Sequence, residues 1–124
     1  MNVVGIGTDL VEIERFRLAM ERRARLPERL FSDDERAYAF RHRDPVPRLA
    51  VRFAAKEAVM KALGVGLGAF KLRDVEVVRQ RGGAPMVGLH GKATVLADER
   101  GVNGWHLSLT HSDSMAMAVA IAVR

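Results

Sequence analysis

Asp9 stands in the run Val4-Gly5-Ile6-Gly7-Thr8-Asp9-Leu10-Val11, a carboxylate among apolar residues with glycines two and four positions before it. A lone carboxylate is costly to bury, so it calls for a cation, a metal ion or several N–H donors beside it. Gly5 and Gly7 leave room for a ligand or for another backbone on that side. Asp9 reads also as a strand-end carboxylate that bonds amides of the next element. Glu57 and Lys61 are four apart, which places them one turn apart on one helix face. As an exposed pair they would add about 0.3–0.5 kcal/mol to the helix. The neighbouring Ala50 and Ala54 and the apolar Leu49, Phe53 and Met60 describe a cleft edge instead.

Lys56 projects beside the apolar stripe near Leu63, where its stem can snorkel or its amine can reach an anion. His111 precedes Ser112-Asp113-Ser114. In that place a histidine can bind phosphate, relay protons or ligate metal, or it can simply sit in a turn. His42, His90 and His106 show no metal-ligand spacing, which argues against zinc. The glycine-spaced run opened by Gly64 follows a helix rather than a strand, so it is neither a Walker nor a dinucleotide loop. Phosphates can still approach its backbone closely.

The elements that carry these residues follow from periodicity. Residues 3–11 alternate as a strand, with Val4, Ile6, Thr8 and Leu10 on one face and Gly5, Gly7 and Asp9 on the other. Ile13, Phe16 and Met20 recur at helical spacing. Leu26, Leu30 and Phe31 anchor a turn around Pro27. Ser32 and Glu35 form a capping box that opens a helix through Tyr38 and Phe40. Residues 41–48, with Pro45 and Pro47, read as irregular. Residues 49–63 form the strongest helix, closed by Gly64. Two strands, 74–79 and 86–89, flank Gly82 and Gly83, and a helix spans 91–100. Strands 105–110 and 115–123 complete an α+β order with a mainly antiparallel sheet. The last strand is apolar on both faces, which predicts cover on both sides, from the core and from a neighbouring subunit.

A chain of 124 residues suits one domain, 1–124. At 48% hydrophobic and 28% charged it can bury a core and is not a disordered composition. The absence of cysteine excludes disulfides and thiolate chemistry. No apolar run reaches the ~18 residues of a membrane span, and the N-terminus has no signal-peptide pattern, so a cytoplasmic location is expected. The net charge is +5, and 16 of the 20 basic residues are arginine. Between Arg15 and Arg52, 11 arginines face 6 acids, so that stretch carries the whole excess. Such clustering suits a polyanion (nucleic acid, a phosphorylated cofactor or an acidic protein) as well as a solvated surface.

Three blocks together carry a resemblance: Gly5-Ile6-Gly7-Thr8-Asp9-Leu10-Val11-Glu12-Ile13, Arg52-Phe53-Ala54-Ala55-Lys56-Glu57-Ala58 and Ser108-Leu109-Thr110-His111. In order and spacing the chain resembles the holo-acyl-carrier-protein synthases, the small 4′-phosphopantetheinyl transferases. One departure is Ala84 before Pro85, where relatives often carry a basic residue. The resemblance implies a mainly antiparallel sheet packed with a long central helix, in a homotrimer with active sites between subunits. It implies transfer of the phosphopantetheine arm of coenzyme A to a serine of an acyl carrier protein. Asp9 and Glu57 would hold Mg²⁺, and Asp9, Glu57 and Lys61 would form the catalytic group. Coenzyme A would meet Arg52, Glu57, Lys61, Gly64 and His111. Arg15 and Arg25 would dock the acidic carrier, within a patch that also includes Arg17, Arg22 and Arg23. A nucleic-acid-binding module is the rival reading of the arginines, but aromatics for base stacking are only 6% and it leaves Asp9 and Glu57 unexplained.

Overall fold

A computed structural model describes residues 2–124. The first strand, β1 (Val3–Glu12), pairs antiparallel with the last, β5 (Met115–Val123), and β5 pairs antiparallel with β4 (Gly104–His111). This gives a sheet of order β1-β5-β4, beside which β2 (Val75–Arg79) and β3 (Pro85–Leu89) form an antiparallel pair. Between β1 and β2 run α1 (Ile13–Arg22), α2 (Leu26–Leu30), α3 (Asp33–Ala39) and α4 (Val46–Ala62), with a 3₁₀ turn at Leu72–Asp74. A fifth helix, α5 (Gly91–Glu99), precedes β4. The architecture is α+β and antiparallel, with α4 lying across the three-stranded sheet as its central helix.

Residue size explains how closely α4 lies. Ala116, Ala118, Ala120 and Ala122 form the inner face of β5 and are buried, as are Ala54, Ala55, Ala58 and Ala62 of α4. On β1 the inner face is Gly5 and Gly7. A Cβ on Gly5 would fall 1.9 Å from the Ala62 carbonyl oxygen, and one on Gly7 1.9 Å from that of Ala58. The glycines therefore admit another backbone, that of α4, and not a ligand. Val4 departs from the expected alternation. The register shifts between Val3 and Gly5, and the extra residue at this bulge lets Val4 pack on the core side. The outer face of the sheet leaves Val3, Ile6 and Leu10 more than 60% exposed and Met117 partly so.

Two other expectations need correction. Residues 26–30 form a short helix, with Pro27 in its first turn, where the missing N–H costs nothing. For the same reason α4 starts at Val46, with Pro47 in its first turn, so the irregular stretch ends earlier than residue 48. The capping box holds: Ser32 Oγ accepts from the Glu35 amide and the Glu35 carboxylate accepts from the Ser32 amide. Lys56 does reach an anion. Its ammonium is fully buried and donates to Glu35 Oε1 at 2.7 Å, to the Leu72 carbonyl at 3.2 Å and to the Val75 carbonyl.

Candidate active site

Along their contact β1 and α4 advance in step. Gly5 meets Ala62 and Gly7 meets Ala58, so two strand residues, about 6.6 Å, match four helix residues, about 6 Å. The next inward residue of β1 is Asp9, which this progression carries to the turn of α4 bearing Ala54 and Glu57. The glycine pair thus sets the strand-to-helix distance at which two carboxylates from different elements face one site. Asp9 is largely covered, with its side chain 18% exposed. Lys61, from the next turn of α4, donates to the Thr8 carbonyl at 2.9 Å and to Asp9 Oδ1 at 3.3 Å. The alternative of an exposed Glu57–Lys61 pair is not what forms: among the described residues Lys61 is bonded to β1, and Glu57 has no ion pair.

Glu57 is half-buried, and its carboxyl group is held above the usual carboxylate range. Burial is the main cause, the Asp9 carboxylate adds to it, and Lys61 partly opposes both. A like-charged pair of this kind suits a cation between the two groups. No cluster of three or more His, Cys, Asp or Glu side chains with metal-holding geometry exists among the described residues. Two carboxylates without a third protein ligand match a hard cation that keeps waters and takes phosphate oxygens, and do not match zinc. Beside the pair opens a groove of about 710 Å³, lined by Arg15, Phe16, Leu26, Leu30, Phe53 and Leu67 among others. Gly64 itself ends α4 at a positive φ of 74°, a conformation that favours glycine, and the loop it opens brings Leu67 to this groove.

Arg52 and His111 lie elsewhere. Arg52 and Glu57 are five residues apart on α4, about 140° around the helix, so they emerge on opposite flanks. Arg52 and His111 share a second cavity of about 380 Å³, together with Tyr38, Arg48, Arg79 and Ser108, and no carboxylate lines it among the described residues. Arg52 is 4% exposed, with its guanidinium 4.5 Å from the centre of the Tyr38 ring. One of its Nη atoms donates to the Arg48 carbonyl, and its Nε has no partner. Arg48, Arg52, Arg79 and His111 thus gather basic groups around one cavity, while Glu35 acts on Arg52 from its other side. Sequence reading missed Tyr38, Arg48 and Arg79 here. The i,i+4 spacing of Arg48 and Arg52 was a usable signal, whereas Tyr38 and Arg79 come from other elements and had none.

On the surface, Arg15 and Arg25 are both exposed, and Arg25 makes only a long contact to Glu28, at 3.7 Å. Arg17 leaves the expected patch. It forks onto Asp44 at 2.9 and 2.7 Å and bonds Glu14, so its charge is already met. No helix among the described residues is long and apolar enough to cross a membrane.

Residues 5–120 match the model of the 4′-phosphopantetheinyl transferase superfamily. The holo-[acyl-carrier-protein] synthase of Beutenbergia cavernae is 46% identical over 123 residues, which is 98% of this chain and 99% of the relative. Among solved structures, the synthase of Neisseria meningitidis superposes with a TM-score of 0.91 at 28% identity, covering 99% of this chain and 100% of its own. The Helicobacter pylori synthase, solved in complex with coenzyme A, gives 0.83 at 28% identity over 95% and 99%. The nucleic-acid reading finds no support in these likenesses. Facing carboxylates and a separate arginine-lined cavity sit in a chain that matches these proteins from end to end, and it belongs to the holo-acyl-carrier-protein synthase family of the 4′-phosphopantetheinyl transferase superfamily.

Proposed function

We propose that this chain moves the 4′-phosphopantetheine arm of coenzyme A onto a serine of an apo-acyl carrier protein, with Asp9 and Glu57 holding Mg²⁺. The observation that carries the reading is the pairing of two facing carboxylates beside Lys61 with a distant, acid-free arginine cavity. Coenzyme A has this division of charge: a pyrophosphate at the reacting end and a further phosphate on the ribose. A magnesium ion held by Asp9 and Glu57 would supply charge neutralisation at the pyrophosphate. Lys61, released from Asp9, meets a phosphate oxygen as a point charge. The serine oxygen bonds to the phosphorus nearer the pantetheine arm, the bridging P–O bond breaks, and adenosine 3′,5′-bisphosphate leaves. The serine proton passes to Glu57, which makes no ion pair within the chain, or to water at the site.

Arg52 and His111 then complete the site of a neighbouring copy, because α4 stands between them and Glu57 in their own chain. The exposed Val3, Ile6, Leu10 and Met117 supply an apolar face by which copies meet in a homotrimer. Arg15 lines the groove, and exposed Arg25 directly precedes its lining residue Leu26; the two draw in the acidic carrier. The reaction takes place in the cytoplasm, since its donor is a polyanion that a bilayer excludes. The deciding experiment incubates the protein with coenzyme A, Mg²⁺ and an apo-carrier and weighs the carrier. A mass gain equal to one phosphopantetheine is expected, and it should vanish for Asp9→Ala and Glu57→Ala. An unchanged carrier mass, or full turnover by either variant at low millimolar Mg²⁺, overturns the reading.

A further inference from the structure

We infer that the buried Lys56–Glu35 pair is a positioning device for Glu57, holding α4 in the rotation at which Glu57 faces Asp9. The inference rests on the reading of Glu57 as a cation-binding carboxylate. Lys56 directly precedes Glu57 on α4, about 100° around the helix, and its side chain is buried inside the protein. Its three ammonium hydrogens are matched by three acceptors from three places: the Glu35 carboxylate of α3, the Leu72 carbonyl and the Val75 carbonyl of β2. Glu35, 2% exposed, also accepts from the Ser32 amide and, at 2.9 Å, from the Val77 amide. The cluster therefore ties the middle of α4 to α3 and to β2 at once.

Such a tie is poorly explained as a source of stability. Desolvating two charges offsets most of their attraction, and apolar replacements of a whole buried pair are often neutral or stabilising. Its effect is geometric: it adds a directional polar tie to the apolar packing of Leu49, Val51, Val59 and Met60 on α4 and of Leu63 at its end. The other side of α4 rests on the methyl groups of β5 and the bare backbone of β1, surfaces that fix how near the helix lies but offer few side-chain knobs against its rotation. Glu57 has no ion pair of its own, so its aim is inherited from the helix. A misplacement of about 1 Å in a reacting constellation can cost on the order of a hundredfold in rate.

The test is the double variant Lys56→Met/Glu35→Gln, which keeps the stem volume of Lys56 and the capping box of α3. Thermal melting, Mn²⁺ affinity by electron paramagnetic resonance, kcat, and KM for the carrier are measured beside wild type and Glu57→Gln. The expected pattern is a melting temperature near wild type, an unchanged KM for the carrier, and kcat and Mn²⁺ affinity each lowered about tenfold. A folded double variant with kcat and Mn²⁺ affinity within about twofold of wild type overturns the inference. If the double variant fails to fold, Glu35→Gln alone must show the same pattern at smaller amplitude, and wild-type values for it overturn the inference equally. If Glu57→Gln itself leaves Mn²⁺ affinity and turnover intact, the reading of the site has failed instead.

Discussion

Glu57 combines partial burial, a like-charged neighbour and no counter-ion of its own, and these set its titration. Burial first, then the Asp9 carboxylate, raise its proton affinity against the opposing effect of Lys61. In the folded protein the group therefore holds its proton more tightly than in the unfolded chain. Stability drawn from the protonated form is present at low pH and is lost as pH rises toward and through the raised value. We expect the Glu57 carboxyl of the metal-free protein, followed by carbon-13 NMR, to titrate above an ordinary glutamate and to move down in Asp9→Asn. An unshifted titration in that variant would remove Asp9 from the account. At this level the sequence was informative about identity and not about partners. Asp9, Glu57 and Lys61 were all visible, yet Lys61 bonds a strand more than 50 positions away, because proximity across the α4–β1 contact leaves no trace in linear spacing. Arg17 was misjudged for the same reason, since Asp44, 27 positions on, takes up its charge.

Among the elements, the contact of α4 with β1 is the least forgiving. A methyl group at Gly7 would overlap the backbone of Ala58, so the helix itself must move. Gly7→Ala should destabilise the protein by about 1–3 kcal/mol or more, as overpacking does. Urea unfolding will measure this, and an unchanged midpoint would show that α4 can shift freely. Periodicity made most of these elements legible: β5 was read to the residue, and the capping box of α3 was read from Ser32 and Glu35 alone. Where the reading of helices failed, proline was the cause, and in β1 it was the bulge at Val4. Pro27 and Pro47 read as breakers in the sequence, although in a first helical turn proline is a good residue. Gly5 and Gly7 announced an approach without naming the visitor.

For the whole molecule, the division of charged groups between the two flanks of α4 makes a sharp prediction about assembly. Glu57→Ala and Arg52→Ala should each be inactive alone, but unfolding and refolding them together should restore activity, because mixed assemblies contain some sites with both residues intact. No recovery in a mixture shown by native mass spectrometry to contain mixed trimers would place the whole site within one chain. The carrier is expected to arrive under electrostatic guidance. The wild-type KM for the carrier should rise with ionic strength, and Arg15→Glu/Arg25→Glu should raise it strongly at low salt while sparing coenzyme A binding. A salt-independent wild-type KM would return these arginines to the role of solvated surface.

The alanine seam beneath the site has a thermal consequence. Alanine and glycine have no side-chain rotamers, so packing Ala54, Ala58 and Ala62 against Ala118, Ala120 and Ala122 forfeits no side-chain entropy on folding. The floor under Asp9 and Glu57 likewise has no alternative χ1 states to populate on warming. Leucines or methionines in the same place would hop between rotamers and jostle the carboxylates above them. Here the methyl groups can only spin in place, so the seam adds no rotamer disorder beneath the carboxylates as the protein warms.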